Sequence, residues 1–162
     1  MATIRGGDKL HRELAKLTVK LRNPGTLSVG FLAGATYPTD VKRSKRGPNK
    51  SLAGGVPVAM IAAIQEFGAP SRGIPPRPFF RNMIKAKSGE WPAAIAALLK
   101  ANNYDARRTL TLTGEAIAGQ LRQSIKDTNT PPLKPATIKK KGFAKPLIDT
   151  SHMINSIDYE VK

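Results

Sequence analysis

Cysteine is absent from all 162 residues, which excludes a disulfide framework and thiol chemistry. Histidine is nearly absent. His11 and His152 are the only two, far apart in the chain, and a zinc site would need distant acids to complete it. Ser151 neighbours His152, but no nucleophile elbow or orienting acid accompanies the pair. Aromatic residues make up 6% of the chain and are not interleaved with the basic clusters, which argues against a stacking platform for single-stranded nucleic acid. No apolar run approaches the roughly 20 residues that span a bilayer, so no membrane partner is expected. The opening MATIRGGDKLHREL turns polar at once and lacks the apolar middle of a signal peptide. Acids are scarce and scattered, with no close pair suited to glycoside or two-metal chemistry. The glycines at Gly30, Gly34 and Gly47 do not form a phosphate loop, and nothing favours a nucleotide at the helix start after Gly54-Gly55. We expect no enzyme and no cofactor.

What is present in excess is positive charge. Lys and Arg total 27 against 11 Asp and Glu, a net charge of +16. Two acid-free stretches concentrate it. One holds Lys42, Arg43, Lys45, Arg46 and Lys50, and the other Lys134, Lys139, Lys140, Lys141 and Lys145. Such a balance favours polyanions or acidic protein surfaces and opposes self-association at low salt.

The chain is organised around Val56 to Phe80, VPVAMIAAIQEFGAPSRGIPPRPFF. Pro57 suits a first helical position and Gly68 the position past the end, with Met60, Ile61 and Ile64 as the expected buried stripe. Ile74-Pro75-Pro76-Arg77-Pro78 is biased toward extended backbone, and Pro78 can open a helix carrying Phe79 and Phe80. Two readings stand open. In one, the stretch is a structural joint between helices, fixed by Arg77, held between prolines, hydrogen-bonding to Glu66 or to main-chain carbonyls. In the other, Glu66, Phe67 and the loop from Arg72 to Arg77 form an interaction surface.

Elsewhere, Leu10, Leu14, Leu17 and Leu21 fall on one face of an expected helix over residues 8–21, capped by Asp8. After the Asn23-Pro24-Gly25 turn, alternation predicts a strand at Leu27–Leu32. A partner near Val41 or Val56, or the alternating Ile157, Tyr159 and Val161 at the end, could pair with it. Residues 35–55 and 127–148 lack sustained periodicity and read as two long basic excursions, although Pro135 through Lys140 can make a helical turn or two with the lysines exposed. Helices are expected through Phe80–Lys87, from Trp91 with Ile95, Leu98 and Leu99 inward, and over 105–126. In the last of these, Asp105 is the cap and Leu110, Gly114, Ile117, Leu121 and Ile125 form the stripe, with Gly114 permitting close backbone approach. Trp91 reads as a core or interface anchor. The expectation is one α+β domain over 1–162, a small antiparallel sheet packed against several helices. On composition and periodicity, a structural or assembly protein ranks first and a non-specific nucleic-acid binder second.

Two motifs resemble a bacteriophage neck and tail-completion family that includes virion morphogenesis proteins and lambdoid minor tail proteins. The first is Ala62-Ala63-Ile64-Gln65-Glu66-Phe67-Gly68 followed by Ile74-Pro75-Pro76-Arg77-Pro78-Phe79-Phe80. The second is Pro146-Leu147-Ile148-Asp149-Thr150-Ser151-His152-Met153-Ile154-Asn155-Ser156-Ile157. Gln65 stands where that family more often has histidine, and Ser151 where it has glycine. The resemblance implies a non-enzymatic α+β virion component at the head–tail junction or tail end. It further implies a homo-oligomeric ring, the sixfold number coming from the resemblance alone. The implied partners are tail tube or terminator proteins on one side and the head connector on the other. The basic excursions would face packaged DNA or acidic subunits.

Overall fold

The computed structural model describes residues 7–31, 34–37, 55–149 and 151–162. Within them lie seven α-helices and four short strands. The longest helix, α5 (Ala106–Asp127), is the spine of the body, and its start follows from its sequence: the Asp105 carboxylate accepts the Arg108 N–H at 2.9 Å. Its stripe includes Gly114, Leu121 and Ile125, all buried, with Ala118 and the hydroxyl-bearing Thr109 and Thr113 beside them. The two threonines donate to carbonyls one turn back, those of Asp105 and Thr109, so their burial strands no donor.

On α5 lies a two-stranded antiparallel sheet of β1 (Leu27–Phe31) and β4 (Ile157–Val161), with Leu27 opposite Val161 and Phe31 opposite Ile157. The expected pairing of the first strand with the last is thus present. Gly114 makes the contact close: a Cβ there would fall 2.6 Å from the Tyr159 ring and 2.8 Å from a Leu27 methyl. A second two-stranded sheet, β2 (Thr36–Tyr37) with β3 (Val56–Pro57), is separate from the first. Val56 therefore pairs beside Tyr37, not beside the first strand. The β2–β3 pair brings together the two ends of the 35–55 excursion. Its cluster of Lys42, Arg43, Lys45, Arg46 and Lys50 lies outside the described residues, as does the alternative partner Val41.

The helix α2 (Val58–Phe67) begins after Pro57, which is its cap residue. Its core face is Val58, Ala62 and Glu66, not the expected Met60, Ile61 and Ile64; Met60 is 50% exposed. The Val58 N–H is tied to the Ala35 carbonyl at 2.9 Å, and this anchor rotates the small Ala62 inward and aims Glu66 at the next helix. That helix, α3 (Phe79–Lys87), buries Phe79 and Met83, while Ile84 is on the surface. After it, α4 (Trp91–Ala101) leans on α5 with no fully buried residue. Trp91 is half-buried and donates its indole N–H to Gln120 at 2.9 Å.

The expected 8–21 helix is present as α1 (Gly7–Leu21), but its leucine stripe is not in the core. Leu10 is 62% and Leu14 50% exposed. The Asn23-Pro24-Gly25 turn hands the chain straight to β1, and among the described residues the polar tie from α1 to the body is Lys20 Nζ to the Asn103 carbonyl, 3.1 Å.

The second excursion carries the helical turn expected over residues 135–140. It contains the short helix α6 (Pro135–Lys141), closed by Gly142 in the left-handed region, and returns to the core at the buried Leu147. The last short helix, α7 (His152–Asn155), adds Met153 and Ile154 to the same core.

Candidate functional site

Pro78 precedes α3 and has no side-chain oxygen with which to cap it. The cap comes from another helix. The buried Glu66 carboxylate accepts the Phe80 N–H at 2.9 Å and the Arg81 N–H at 3.2 Å. These are free first-turn donors of α3, and the positive end of the helix dipole faces the carboxylate. Arg81 completes the clasp, with Nε on the carboxylate at 2.8 Å and Nη2 on the Glu66 carbonyl at 3.2 Å. Its guanidinium also lies 4.9 Å from the centre of the Phe67 ring, which is 65% exposed.

Arg77, only 4% exposed, performs the second half of the joint. Its N–H donates to the Gln65 carbonyl at 2.7 Å. Its side chain donates to the Pro131 carbonyl at 2.9 Å, the Pro132 carbonyl at 3.4 Å and the Gln65 side-chain oxygen at 3.3 Å. Burial holds its pKa below the usual arginine value. Prolines 131 and 132 cannot donate, but their carbonyls accept well, and the planar fork of arginine spans both. The joint therefore fastens three segments: the end of α2, the start of α3 and the 131–132 turn after α5. Gly68 makes the passage possible. It has φ 78°, and a Cβ there would fall 2.8 Å from the Pro76 nitrogen.

The residues singled out by sequence divide accordingly. Glu66, Arg77 and Phe79 are interior; Phe79 meets Phe31 edge to face at 6.3 Å between ring centres. Phe80 is half-buried against Gly30. Phe67 and Arg72 are on the surface, Arg72 on a 3-10 turn (Pro70–Arg72). Arg81, which composition did not mark out, is the residue that sequence reasoning missed. Its signal was position: it is the third residue of a helix that no local side chain could cap.

The lysines of the second excursion also divide. Lys134, Lys139 and Lys140 are exposed. Lys141 turns inward to the carbonyls of Lys145 and Pro146 and lies 4.5 Å from the Phe143 ring centre. Burial pulls its pKa down, with Asp149 opposing and Arg77 adding to the shift. Lys145 reaches the Asn129 side chain at 2.8 Å.

His11 is exposed, and His152 sits 2.8 Å from the Thr36 carbonyl with its ring against Tyr37. Burial and the nearby Asp149 charge raise the Tyr37 pKa. Among the described residues no three His, Asp or Glu side chains converge as a metal site, and no helix is long and apolar enough to cross a membrane. A recess of about 730 Å³ runs between α3, α5 and the 128–131 turn and is lined by amides such as Asn82, Gln120 and Gln123 over Met83. Its ionisable groups are Lys87 and Asp127. No protein-family model, curated protein or solved structure matches the chain.

Proposed function

We propose that this chain is a non-enzymatic structural protein of a bacteriophage virion, acting at the head–tail junction or tail end, where it completes the neck or tail and helps join tail to head. It would be made in the host cytoplasm and work as a homo-oligomeric ring of six copies, between tail tube or terminator proteins and the head connector. One observation carries the reading. The residues through which the sequence resembles that family are the ones with mechanical roles: Glu66 and Arg77 set the angle between α2 and α3, and Leu147, Met153, Ile154 and Ile157 close the core. A subunit under load in a particle needs its elements fastened to one another, and the joint fastens three with charge-assisted hydrogen bonds.

Particles assembled without the protein test this. The expected outcome is filled heads beside unjoined tails, or joined particles that leak DNA, seen by electron microscopy. Normal infectious particles would reject the proposal. The rival reading, a non-specific nucleic-acid binder, draws on the net charge of +16 and the exposed Lys134, Lys139 and Lys140. It requires empty heads or unreplicated genomes in the same experiment, and duplex binding that weakens steeply with salt.

A further inference from the structure

The leucines of α1 recur at steps of four, three and four, from Leu10 through Leu14 and Leu17 to Leu21, which is the spacing of two coiled-coil heptads. The stripe is open: Leu10, Leu14 and Leu21 are 62%, 50% and 37% exposed. A helix of this length is marginal in water unless its apolar face is covered.

We propose that α1 pairs with α1 of a second copy, antiparallel, about a twofold axis. The occupant follows from the charges flanking the stripe. With two copies antiparallel, Leu14 packs beside the partner's Leu17 and Leu10 beside the partner's Leu21. That register sets Glu13 across from the partner's Lys20, and Lys20 across from the partner's Glu13, two attractive pairs at the seam. Parallel pairing would instead put Glu13 opposite the partner's Thr18 and leave Lys20 without an acid. Both charges are available. The Glu13–Lys16 contact within the helix is solvent-exposed, at 2.8 Å, and weak for that reason. Lys20 uses one of its three donors on the Asn103 carbonyl. In a chain of net charge +16, self-association needs a surface where charge is locally balanced, and the seam of α1 is such a surface. The contact is isologous and self-closing, so it differs from the head-to-tail contact a ring requires. It does not rest on the virion reading, and it is tested on the purified chain alone.

The test is sedimentation velocity of the full chain from about 5 to 500 µM, the range where a small transient interface populates. The wild type is expected to move from monomer to dimer, and Leu14→Asp to stay monomeric with an unchanged melting temperature. Glu13→Lys and Lys20→Glu should each weaken the dimer by about fivefold, and the double variant should restore it. Because the chain has no cysteine, orientation can be read directly. A mixture of Leu14→Cys and Leu17→Cys chains should cross-link faster than either alone. A wild type that is monomeric throughout overturns the proposal, as does a Leu14→Asp dimer of undiminished strength. Failure of the double variant to restore pairing, or faster cross-linking by Leu14→Cys alone, overturns the antiparallel arrangement. A monomer that instead binds vesicles of phosphatidylserine through the same leucines assigns the stripe to a lipid surface and also overturns it.

Discussion

The helices α1 and α2 are tied to this protein in opposite ways. The first has four leucines on one face and buries none of its residues; the second is apolar nearly all round and is fixed by Val58, Ala62 and the carboxylate of Glu66. An apolar stripe thus leaves a helix free to find any cover. A polar clasp at the helix end specifies one neighbour and one angle, because its hydrogen bonds are directional and their loss inside the protein is costly.

The sharpest way to break the contrast is to remove the clasp. Glu66→Ala strands two main-chain donors and Arg81, and should cost about 2–4 kcal/mol by denaturant titration, whereas Leu14→Ala should leave the unfolding midpoint of the dilute monomer almost unchanged. Equal losses would mean that α1 is as firmly held as α2. Next in size, Arg77→Ala removes three side-chain hydrogen bonds and should cost about 2–3 kcal/mol, with Arg77→Lys recovering only part because an ammonium cannot span both proline carbonyls. Arg72→Ala should melt with the wild type. If Arg77→Ala instead keeps its melting temperature and only assembly fails, Arg77 belongs to an interface and not to the joint.

Smaller still is the comparison of two glycines on α5. Gly114→Ala forces a methyl against Tyr159 and Leu27 and should destabilise by about 1–3 kcal/mol. Gly119 has nothing within 4 Å of a Cβ, so Gly119→Ala should stabilise by about 0.5–1 kcal/mol through helix propensity. Finally, Ser151 stands at φ 59°, in the left-handed region, and its side chain makes no cap hydrogen bond to α7. Ser151→Gly relieves that backbone and should gain up to about 1 kcal/mol; no gain would mean that the turn is not strained.

Much of this was legible before the structure, for identifiable reasons. The α+β class, the Asp105 cap, the close approach at Gly114 and the pairing of the first strand with the last each follow from short-range chemistry or strict alternation. Arg77, held between prolines, was expected to reach Glu66 or main-chain carbonyls; its side chain uses two carbonyls, and Glu66 is clasped by Arg81 instead. The burial of α1 was not legible, because periodicity reveals that a helix has an apolar face and is silent on what covers it. The face of α2 was misread for the complementary reason: in a helix apolar on most sides, a main-chain anchor at Val58 decides the rotation. The helical turn of the second excursion was legible from Pro135, while what holds the excursion to the body, proline carbonyls accepting from a buried arginine, leaves no mark in hydropathy.

The sheet joins Leu27 to Val161, far apart in sequence, while the clasp on α3 closes over a separation of 14 and 15 residues. Closing a long loop is slow and is rewarded only once its ends meet. We expect the α2–α3 joint to form first and the sheet last. During synthesis, Leu27–Phe31 leaves the ribosome long before Ile157–Val161 exists, so through most of that interval the strand is without its mate. Ile157–Val161 therefore decides when this fold closes, and a chain cut before Ile157 would keep its joint but leave β1 unpaired.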